Sequence, residues 1–364
     1  MAKYNYHKQS NGLGIRLLCI LLAVIAVISL ISLLKRSFRN MSDPFGDISY
    51  NDPFGNVSGL SSNSGSDRFE IPDVPVEKND PSIENRELLS EDAGLKVVFL
   101  DVGQGDATLI EVLGDEPGYI LVDGGYPECA DTVLSYLQQE NIDHLDYVVG
   151  THAHADHVGS LSAIMKSLSV ATLLVPQEHN EENYFFEDML DTANDEGVNI
   201  EIVKAGYSFH LGNAEIRVLG PVDVSETIEE VNNTSIVLKV DFGAVSFVLG
   251  ADAEVEEEDE ILETGSNVKT TVLKIGHHGS SSSTGYLWLR QTNPMYAVIS
   301  CGWENEYGHP TERTLSRIED AEIKLFRTDL QGTIVFWTDG ETINYSVEFN
   351  DDINTFDYPG TYVE

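Results

Sequence analysis

The segment Thr151-His152-Ala153-His154-Ala155-Asp156-His157, called the histidine loop below, places four candidate metal ligands within six positions. An apolar segment comes directly before it, which predicts a buried strand that ends where the loop begins. Side chains two positions apart in extended backbone point the same way, so His152, His154 and Asp156 can converge on one point. His157 adds a fourth ligand where the chain turns. Imidazoles and a carboxylate, without cysteine, favour a hydrolytic centre for zinc or a similar divalent ion.

Three other predicted strands end in residues that can bind or orient a metal ion. Asp252 ends the apolar segment 245–252, where a carboxylate can bridge two ions. His277 and His278 end another strand, and Asp123 ends a third, where it can orient a ligand histidine by a hydrogen bond. Because layered α/β folds carry functional residues at strand ends, these residues are predicted to meet the histidine loop.

Predicted strands and helices alternate from residue 96 onward, yet several neighbouring strands are joined by tight turns such as Gly212-Asn213. This mixture predicts two mixed sheets with helices outside them, a layered α/β architecture. One helix is predicted over Ala155–Leu168. No element is predicted between the helix that ends at Asp320 and the final hairpin, which starts at Gly332.

Seven segments in a fixed order resemble the metallo-β-lactamase fold hydrolases, specifically the soluble hydrolase domain of the ComEC DNA-uptake proteins. They span about residues 96–338, and the resemblance implies a four-layer αββα sandwich. The segments are 99–106 (FLDVGQGD), 121–125 (LVDGG), 152–157 (HAHADH), 232–235 (NNTS), 250–252 (GAD), 273–280 (LKIGHHGS) and 308–310 (GHP). The segment 250–252 departs from the family, which usually has Gly-Asp without the alanine.

The resemblance implies a site for two divalent metal ions. Its ligands would be His152 and His154 for the first ion, Asp156, His157 and His277 for the second, and Asp252 as the bridge. His278 would contact substrate or support a ligand, although the two neighbouring histidines can be exchanged. Many such hydrolases have a further histidine on the first ion, where this chain has Asn232 or Asn233. Zinc is the first expectation, and manganese, which favours oxygen ligands, is the alternative.

Two residues are assigned to catalysis by the resemblance: Asp156 as a proton acceptor and His309 as a donor to a phosphate oxygen or leaving group. His309 can equally be a turn residue before Pro310. The outer contacts to the ligands or substrate are assigned to Asp123, Asn232, Asn233, His278, Ser280, Asn305 and Asp329. Ser280 belongs to a run of four serines, which can bind phosphate or form a flexible loop with a helix cap.

Residues 1–40 carry six basic side chains and no acidic one. Within them, residues 17–34 form an uncharged run of 18 residues, and a helix of this length is roughly 27 Å long, close to the thickness of a bilayer core. This predicts one transmembrane signal anchor, with a cleaved signal peptide as the alternative. The rest of the chain is expected on the outer face of the cell membrane. With one membrane segment, DNA translocation is not expected.

Residues 41–95 are rich in Ser, Asn, Asp, Gly and Pro and are predicted to be a disordered acidic linker. The hydrolase domain is expected over 96–350, followed by an acidic tail over 351–364. From residue 96 onward, 12 basic and 49 acidic residues give a net charge of −37. Such a charge disfavours a long nonspecific nucleic-acid groove, because the affinity of such a groove comes from Lys and Arg on phosphates.

The first functional hypothesis is therefore a membrane-anchored phosphodiesterase, with single-stranded DNA as one candidate substrate. The second is a metallo-hydrolase of another bond, such as a phosphocholine ester, a lactone or an amide, since this fold hosts many reactions. The third is a metal-binding surface module without catalysis. No pattern identifies a protein partner.

Overall fold

Two β-sheets pack face to face in the computed structural model, which describes residues 92–114, 117–180, 183–223 and 231–357. The strands are β1 (Leu95–Phe99), β2 (Thr108–Val112), β3 (Gly118–Val122), β4 (His144–Val149), β5 (Ser169–Val175), β6 (Asn199–Ile202), β7 (Ser208–Leu211), β8 (Ala214–Gly220), β9 (Val237–Phe242), β10 (Val245–Leu249), β11 (Val272–Lys274), β12 (Tyr296–Ile299), β13 (Lys324–Arg327), β14 (Ile334–Thr338) and β15 (Ile343–Val347). Within these residues the first sheet has the order β15-β14-β1-β2-β3-β4-β5-β6, and the second has the order β13-β12-β11-β10-β9-β8-β7.

The inner core lies between the two sheets and is built from side chains of both. Phe336 of β14 meets Phe99 of β1 edge to face at 6.2 Å, and it meets Phe247 of the second sheet at 6.3 Å. Phe99, Phe247 and Phe336 have no solvent-exposed surface. Full burial of such a side chain contributes about 1.5–3 kcal/mol, so aromatic packing is a main source of the attraction between the sheets.

Two outer apolar clusters complete the layers. The helices are α1 (Ala130–Gln139), α2 (Ala155–Val158), α3 (Leu161–Ser167), α4 (Tyr184–Glu196), α5 (Val255–Glu263), α6 (Tyr286–Thr292), α7 (Glu312–Asp320) and α8 (Thr328–Gln331). One cluster joins the first sheet to α1, α3 and α4, and the other joins the second sheet to α5, α6 and α7. The predicted α/β sandwich of two mixed sheets between helical layers is thereby confirmed.

Parallel pairing brings several strand ends to one edge of the sandwich. In the first sheet β3 pairs with β4 in parallel, and in the second sheet β10 pairs with β11 and β11 with β12 in parallel. Parallel strands place their carboxyl ends on the same side, so the loops after β3, β4, β10 and β11 meet there. These loops carry Asp123, the histidine loop, Asp252 and the pair His277-His278.

The single helix predicted over Ala155–Leu168 is wrong, because the structure divides it into α2 and α3. The break lies at Gly159 and Ser160, where the Ser160 hydroxyl donates to the Gly124 carbonyl at 2.7 Å. A Cβ at Gly159 would lie 2.6 Å from the Pro127 side chain, so the chain passes this point without room for a larger residue. Contact with the loop after β3 therefore outweighs local helix propensity.

The sequence pattern also missed β13 and α8, which fill the interval between Asp320 and Gly332. β13 is only four residues long and, apart from its exposed first residue, is buried throughout, so it shows no alternation of polar and apolar side chains. It is held by parallel pairing with β12, a contact between distant parts of the chain.

The predicted membrane anchor over 17–34 and the predicted linker over 41–95, up to residue 91, lie outside the described residues, as does the end of the predicted tail, 358–364. Among the described residues, no helix combines the length and apolar character that a membrane crossing requires. Chain packing continues beyond residue 350, since the carbonyl of Thr355 accepts a hydrogen bond from the Arg327 guanidinium at 3.1 Å.

Candidate metal centre

Asp123 fixes the start and the end of the histidine loop. Its carboxylate accepts hydrogen bonds from the Thr151 backbone N–H at 2.9 Å and from the Thr151 hydroxyl at 2.7 Å. The same carboxylate accepts from Nδ1 of His157 at 2.8 Å. Because Nδ1 of His157 is engaged in this way, its Nε2 is the atom that faces the other ligand candidates.

Asp252 lies at the centre of the predicted ligands and is 2% exposed. Its carboxylate oxygens are 3.2 Å from Nε2 of His157, 3.6 Å from Nε2 of His278 and 3.8 Å from Nε2 of His152. The alanine that departs from the family pattern is accommodated, because Ala251 adopts a left-handed φ of 45° and its carbonyl accepts from the His277 backbone N–H at 2.9 Å.

Burial and neighbouring charges set the protonation of this cluster. Burial alone disfavours the charged form of Asp252, but the imidazoles of His157 and His278 outweigh it and hold the pKa of that carboxyl well below its usual range. Burial likewise opposes protonation of His157, yet the carboxylates of Asp252 and Asp123 raise the pKa of His157 well above its usual value. Burial and the neighbouring His157 lower the pKa of His152.

The two neighbouring histidines after β11 have different surroundings. Nε2 of His278 lies 3.3 Å from the Asp156 carboxylate, Nδ1 of His278 donates to the Ser300 carbonyl at 3.0 Å, and the residue is 2% exposed. Asp156, His157 and His278 form one group whose potential ligand atoms lie within 4.8 Å of one another. His277 is instead 3.2 Å from the Glu254 carboxylate through Nδ1, and 3.7 Å from Asp252 through Nε2.

His154 approaches the site from the exposed side. Its Nδ1 lies 3.0 Å from Nε2 of His152, with the two rings nearly perpendicular. Burial lowers the pKa of His154, so its imidazole is neutral at neutral pH and available as a ligand.

The two candidate asparagines have different positions. The amide nitrogen of Asn232 lies 3.5 Å from Nδ1 of His277, and its buried amide oxygen has no hydrogen-bond partner among the described residues. The side chain of Asn233 instead accepts from the Glu254 backbone N–H at 3.0 Å. Asn232 is therefore the one whose oxygen can serve a metal ion, and Asn233 holds the loop that follows Asp252.

The sequence reasoning gave no role to a buried ion pair behind the site, Asp106 and Lys274. The Lys274 ammonium lies 2.5 Å from the Asp106 carboxylate, and the two side chains are 2% and 4% exposed. The other oxygen of Asp106 is 3.5 Å from Nδ1 of His278. The available signal was Asp106 at the end of the 99–106 segment, together with a lysine in the otherwise apolar strand β11.

A cleft of about 260 Å³ opens over the cluster. The residues that line it are Gln104, Tyr126, His154, Ala155, Asp156, Asp252, His277, His278, Tyr307 and His309. The His309 ring meets the His277 ring edge to face at 5.6 Å. Burial and the nearby His277 and His278 lower the pKa of His309 to about 4.

The remaining predicted residues support this cleft or lie outside its lining. Asn305 donates to the carbonyls of Gly302 and His309 and accepts from the His309 backbone N–H, so it shapes the loop that carries His309. The Ser280 hydroxyl lies 3.0 Å from the Ser282 hydroxyl, which donates to Glu254. Asp329 does not line the cleft. Its carboxylate accepts two hydrogen bonds from the buried Arg327 guanidinium instead.

The donor set fits divalent metal ions. Three buried atoms that face the centre lack a hydrogen-bond partner in the described part of the chain: Nε2 of His157, Nε2 of His278 and one oxygen of Asp252. Buried polar atoms nearly always have a partner, so unpaired ligand atoms that face one point fit the binding of a cation there. Imidazole nitrogens and carboxylate oxygens without thiolates suit zinc or manganese.

Comparison with known proteins agrees with this geometry. Residues 100–303 match the family model of the metallo-beta-lactamase superfamily. "ComE operon protein 3" of Bacillus subtilis is 32% identical over 257 residues, which cover 66% of this chain and 33% of that protein. "Competence protein ComA" of Neisseria gonorrhoeae is 28% identical, covering 66% of this chain and 32% of that protein. The chain thus spans about a third of the length of these relatives.

Among solved structures, the metallo-beta-lactamase fold protein YhfI from Bacillus subtilis matches with a TM-score of 0.44. It is 12% identical in sequence, and the match covers 64% of this chain and 96% of that one.

Proposed function

Because the chain belongs to the metallo-β-lactamase superfamily, we propose that it is a metal-dependent phosphodiesterase with a dinuclear centre. The membership and the relation to competence proteins confirm the resemblance predicted from the histidine loop and the other six segments. A relative whose name refers to competence directs the proposal to a phosphodiester, with single-stranded DNA as one candidate.

One observation carries the proposal: one oxygen of the Asp252 carboxylate lies within 4 Å of Nε2 of both His152 and His278, two imidazoles that we assign to different ions. A carboxylate in this position is suited to bridge two ions. We assign His152 and His154 to the first ion, with the unpartnered amide oxygen of Asn232 as a further candidate ligand.

The second ion is assigned to Asp156, His157 and His278. His278 here replaces His277, the ligand predicted from the sequence, because His278 is the imidazole that groups with Asp156 and His157. His277 then faces the cleft, where it is held by Glu254 and can contact substrate.

When bound, two divalent ions polarise the phosphate and lower the pKa of a water molecule. The protein groups hold and move protons around that chemistry. Burial opposes the charged form of Asp156, but His278 and His157 outweigh it and hold its pKa below the usual range, so Asp156 stays ionised and suits a metal ligand better than a proton acceptor. His309, with its pKa near 4, is neutral at pH 7 and serves as a hydrogen-bond donor to a phosphate oxygen rather than as a cationic acid.

We also propose that residues 17–34 anchor the protein in the cell membrane, with the hydrolase domain on the outer face. The support is the uncharged run of 18 residues flanked by basic residues.

The test uses the full chain, purified in mild detergent without a metal-chelating tag, with bound metals quantified by mass spectrometry. The same sample is assayed on bis(p-nitrophenyl) phosphate and on labelled single-stranded DNA. The inactivating variant is His152→Ala/Asp156→Ala. The matched control is His210→Ala, which removes an exposed imidazole on β7, outside the cleft.

The proposal expects about two equivalents of zinc or manganese, and cleavage that the double variant loses and the control keeps. Metal binding without phosphodiester cleavage would transfer the assignment to hydrolysis of another bond. Absence of bound metal in metal-supplemented medium would overturn the enzymatic assignment.

A further inference from the structure

Two tyrosines of the cleft lining, Tyr126 and Tyr307, are called the aromatic rim, and Trp303 lies four residues before Tyr307 on the same loop. Tyr126 and Tyr307 line the cleft, and their side chains are hydrogen-bonded to each other. The Tyr307 ring is stacked on His309 at 5.9 Å with an interplanar angle of 27°. Tyr307 is nevertheless 55% exposed and Trp303 is 52% exposed, although both are large apolar side chains.

The loop that carries Trp303 and Tyr307 is held in place before any substrate binds. The Gly302 backbone N–H donates to the Gln104 side chain at 3.0 Å, and Asn305 joins the two ends of the loop by hydrogen bonds to Gly302 and His309. A rigid aromatic surface binds a flat ligand with little loss of conformational freedom. The hydrogen bonds of the loop therefore hold Tyr307 in its exposed position.

Charge near the rim is unfavourable for a long polyanion. No lysine or arginine is among the described residues that line the cleft, and Glu304 and Glu306 lie exposed on the same loop. Nonspecific binding of nucleic acid strands normally combines cations along the backbone with aromatic rings for the bases. The described cleft lining has aromatic rings but no lysine or arginine. This combination suits one phosphate at the metal centre and one base beside it.

We infer that the aromatic rim binds a single unpaired nucleobase, so that the phosphodiester attached to it lies over the metal centre. The inference rests on the proposed function and names its substrate class: the end of a single strand or a short nucleoside phosphodiester, rather than the interior of a duplex. Stacking on Tyr307 provides selectivity that does not depend on charge.

Two chromogenic diesters separate the base from the reacting phosphate. Thymidine 5′-(p-nitrophenyl phosphate) and methyl p-nitrophenyl phosphate release the same leaving group, and only the first carries a base. The ratio to measure is kcat/KM for the thymidine ester divided by kcat/KM for the methyl ester. Stacking of one base contributes about 1–3 kcal/mol, so Tyr307→Ala should lower this ratio by roughly 5- to 150-fold. Tyr307→Phe should keep the ratio, because it keeps the ring. Phe349→Ala, which removes an aromatic residue that is 65% exposed and outside the cleft lining, should also keep it.

Equal kcat/KM values for the two esters with the unaltered protein would overturn the inference while leaving the phosphodiesterase intact. An equal loss on both esters in Tyr307→Ala would overturn it too, since this would show a structural effect through His309. If neither ester is cleaved, the proposed function fails, and binding decides the inference. Thymidine 5′-monophosphate should then bind the metal-loaded full chain more tightly than methyl phosphate in equilibrium dialysis, and Tyr307→Ala should remove the difference. Equal affinities for the two ligands in the unaltered protein would overturn the inference.

Discussion

Replacing Lys274 by methionine tests the buried ion pair behind the metal centre. The Lys274–Asp106 distance of 2.5 Å corresponds to an attraction of about 6–7 kcal/mol at an effective dielectric constant of about 20. Desolvation of both groups offsets much of this attraction. Removing one partner of a buried pair nevertheless costs about 3–5 kcal/mol, because the other charge stays buried without compensation.

Two features place the expected loss near the lower end of this range. Nδ1 of His278 lies 3.5 Å from one Asp106 oxygen, and Nδ1 of His157 lies 3.9 Å from the other. Either imidazole can partly compensate the carboxylate when Lys274 is absent. Methionine also retains most of the lysine volume, so a cavity adds little. We therefore expect Lys274→Met to lower the free energy of unfolding by about 3 kcal/mol.

The assay is urea unfolding of the full chain with a chelator present, so that metal binding does not contribute. The matched control is Lys324→Met, since Lys324 is 44% exposed and lies 3.6 Å from Asp351, and an exposed pair contributes about 1 kcal/mol or less. Equal losses in the two variants, or a loss below about 1 kcal/mol for Lys274→Met, would refute the reasoning that this pair is a buried support of the site.

Three further predictions concern the ligand support, stability against pH, and salt. Asp123→Asn removes the carboxylate that orients His157 and should weaken metal affinity about 10- to 100-fold, measured by competition with a chromophoric chelator; unchanged affinity would contradict that role. Burial raises the pKa of Glu257 from 4.5 to about 8, so its stabilising contribution is complete below pH 4.5 and is lost as the pH rises through 8. The free energy of unfolding, measured with urea, should therefore decline by about 2–4 kcal/mol as the pH rises through this range, and Glu257→Gln should flatten the decline. An equal decline in both proteins would argue against this role of Glu257. Between 50 and 200 mM salt, KM for single-stranded DNA should rise less than about threefold, as for one neutralised phosphate; a hundredfold rise would indicate a basic groove instead.

The sequence indicated which residues meet at the candidate site because their signals are local. Each ligand candidate follows an apolar segment, and the strand ends were placed correctly enough to bring Asp123, Asp252 and the histidine loop together. The same local signals could not choose between His277 and His278. Both have left-handed φ values, 48° and 53°, so the alternation of side chains along a strand no longer says which imidazole faces inward.

The missed features depend on contacts between distant parts of the chain. Asp106 and Lys274 are separated by most of the domain, and a lysine in a short strand is ordinarily expected at the surface. The break between α2 and α3 depends on Gly159 packing against Pro127, which propensity within the segment does not report. Both cases show tertiary contacts overriding local preference, at positions adjacent to the metal centre.

The acidic composition has a direct consequence for how the site can hold an anion. Among the described residues that line the cleft, the charged or chargeable groups are the carboxylates Asp156 and Asp252 and four imidazoles, and behind them Lys274 is already engaged by Asp106. A phosphodiester therefore meets no permanent cation of the protein there. Its negative charge has to be compensated by the metal ions, which means that metal removal eliminates binding as well as cleavage. The aromatic rim fits the same constraint, because stacking adds affinity without requiring positive charge from a part of the chain whose net charge is −37.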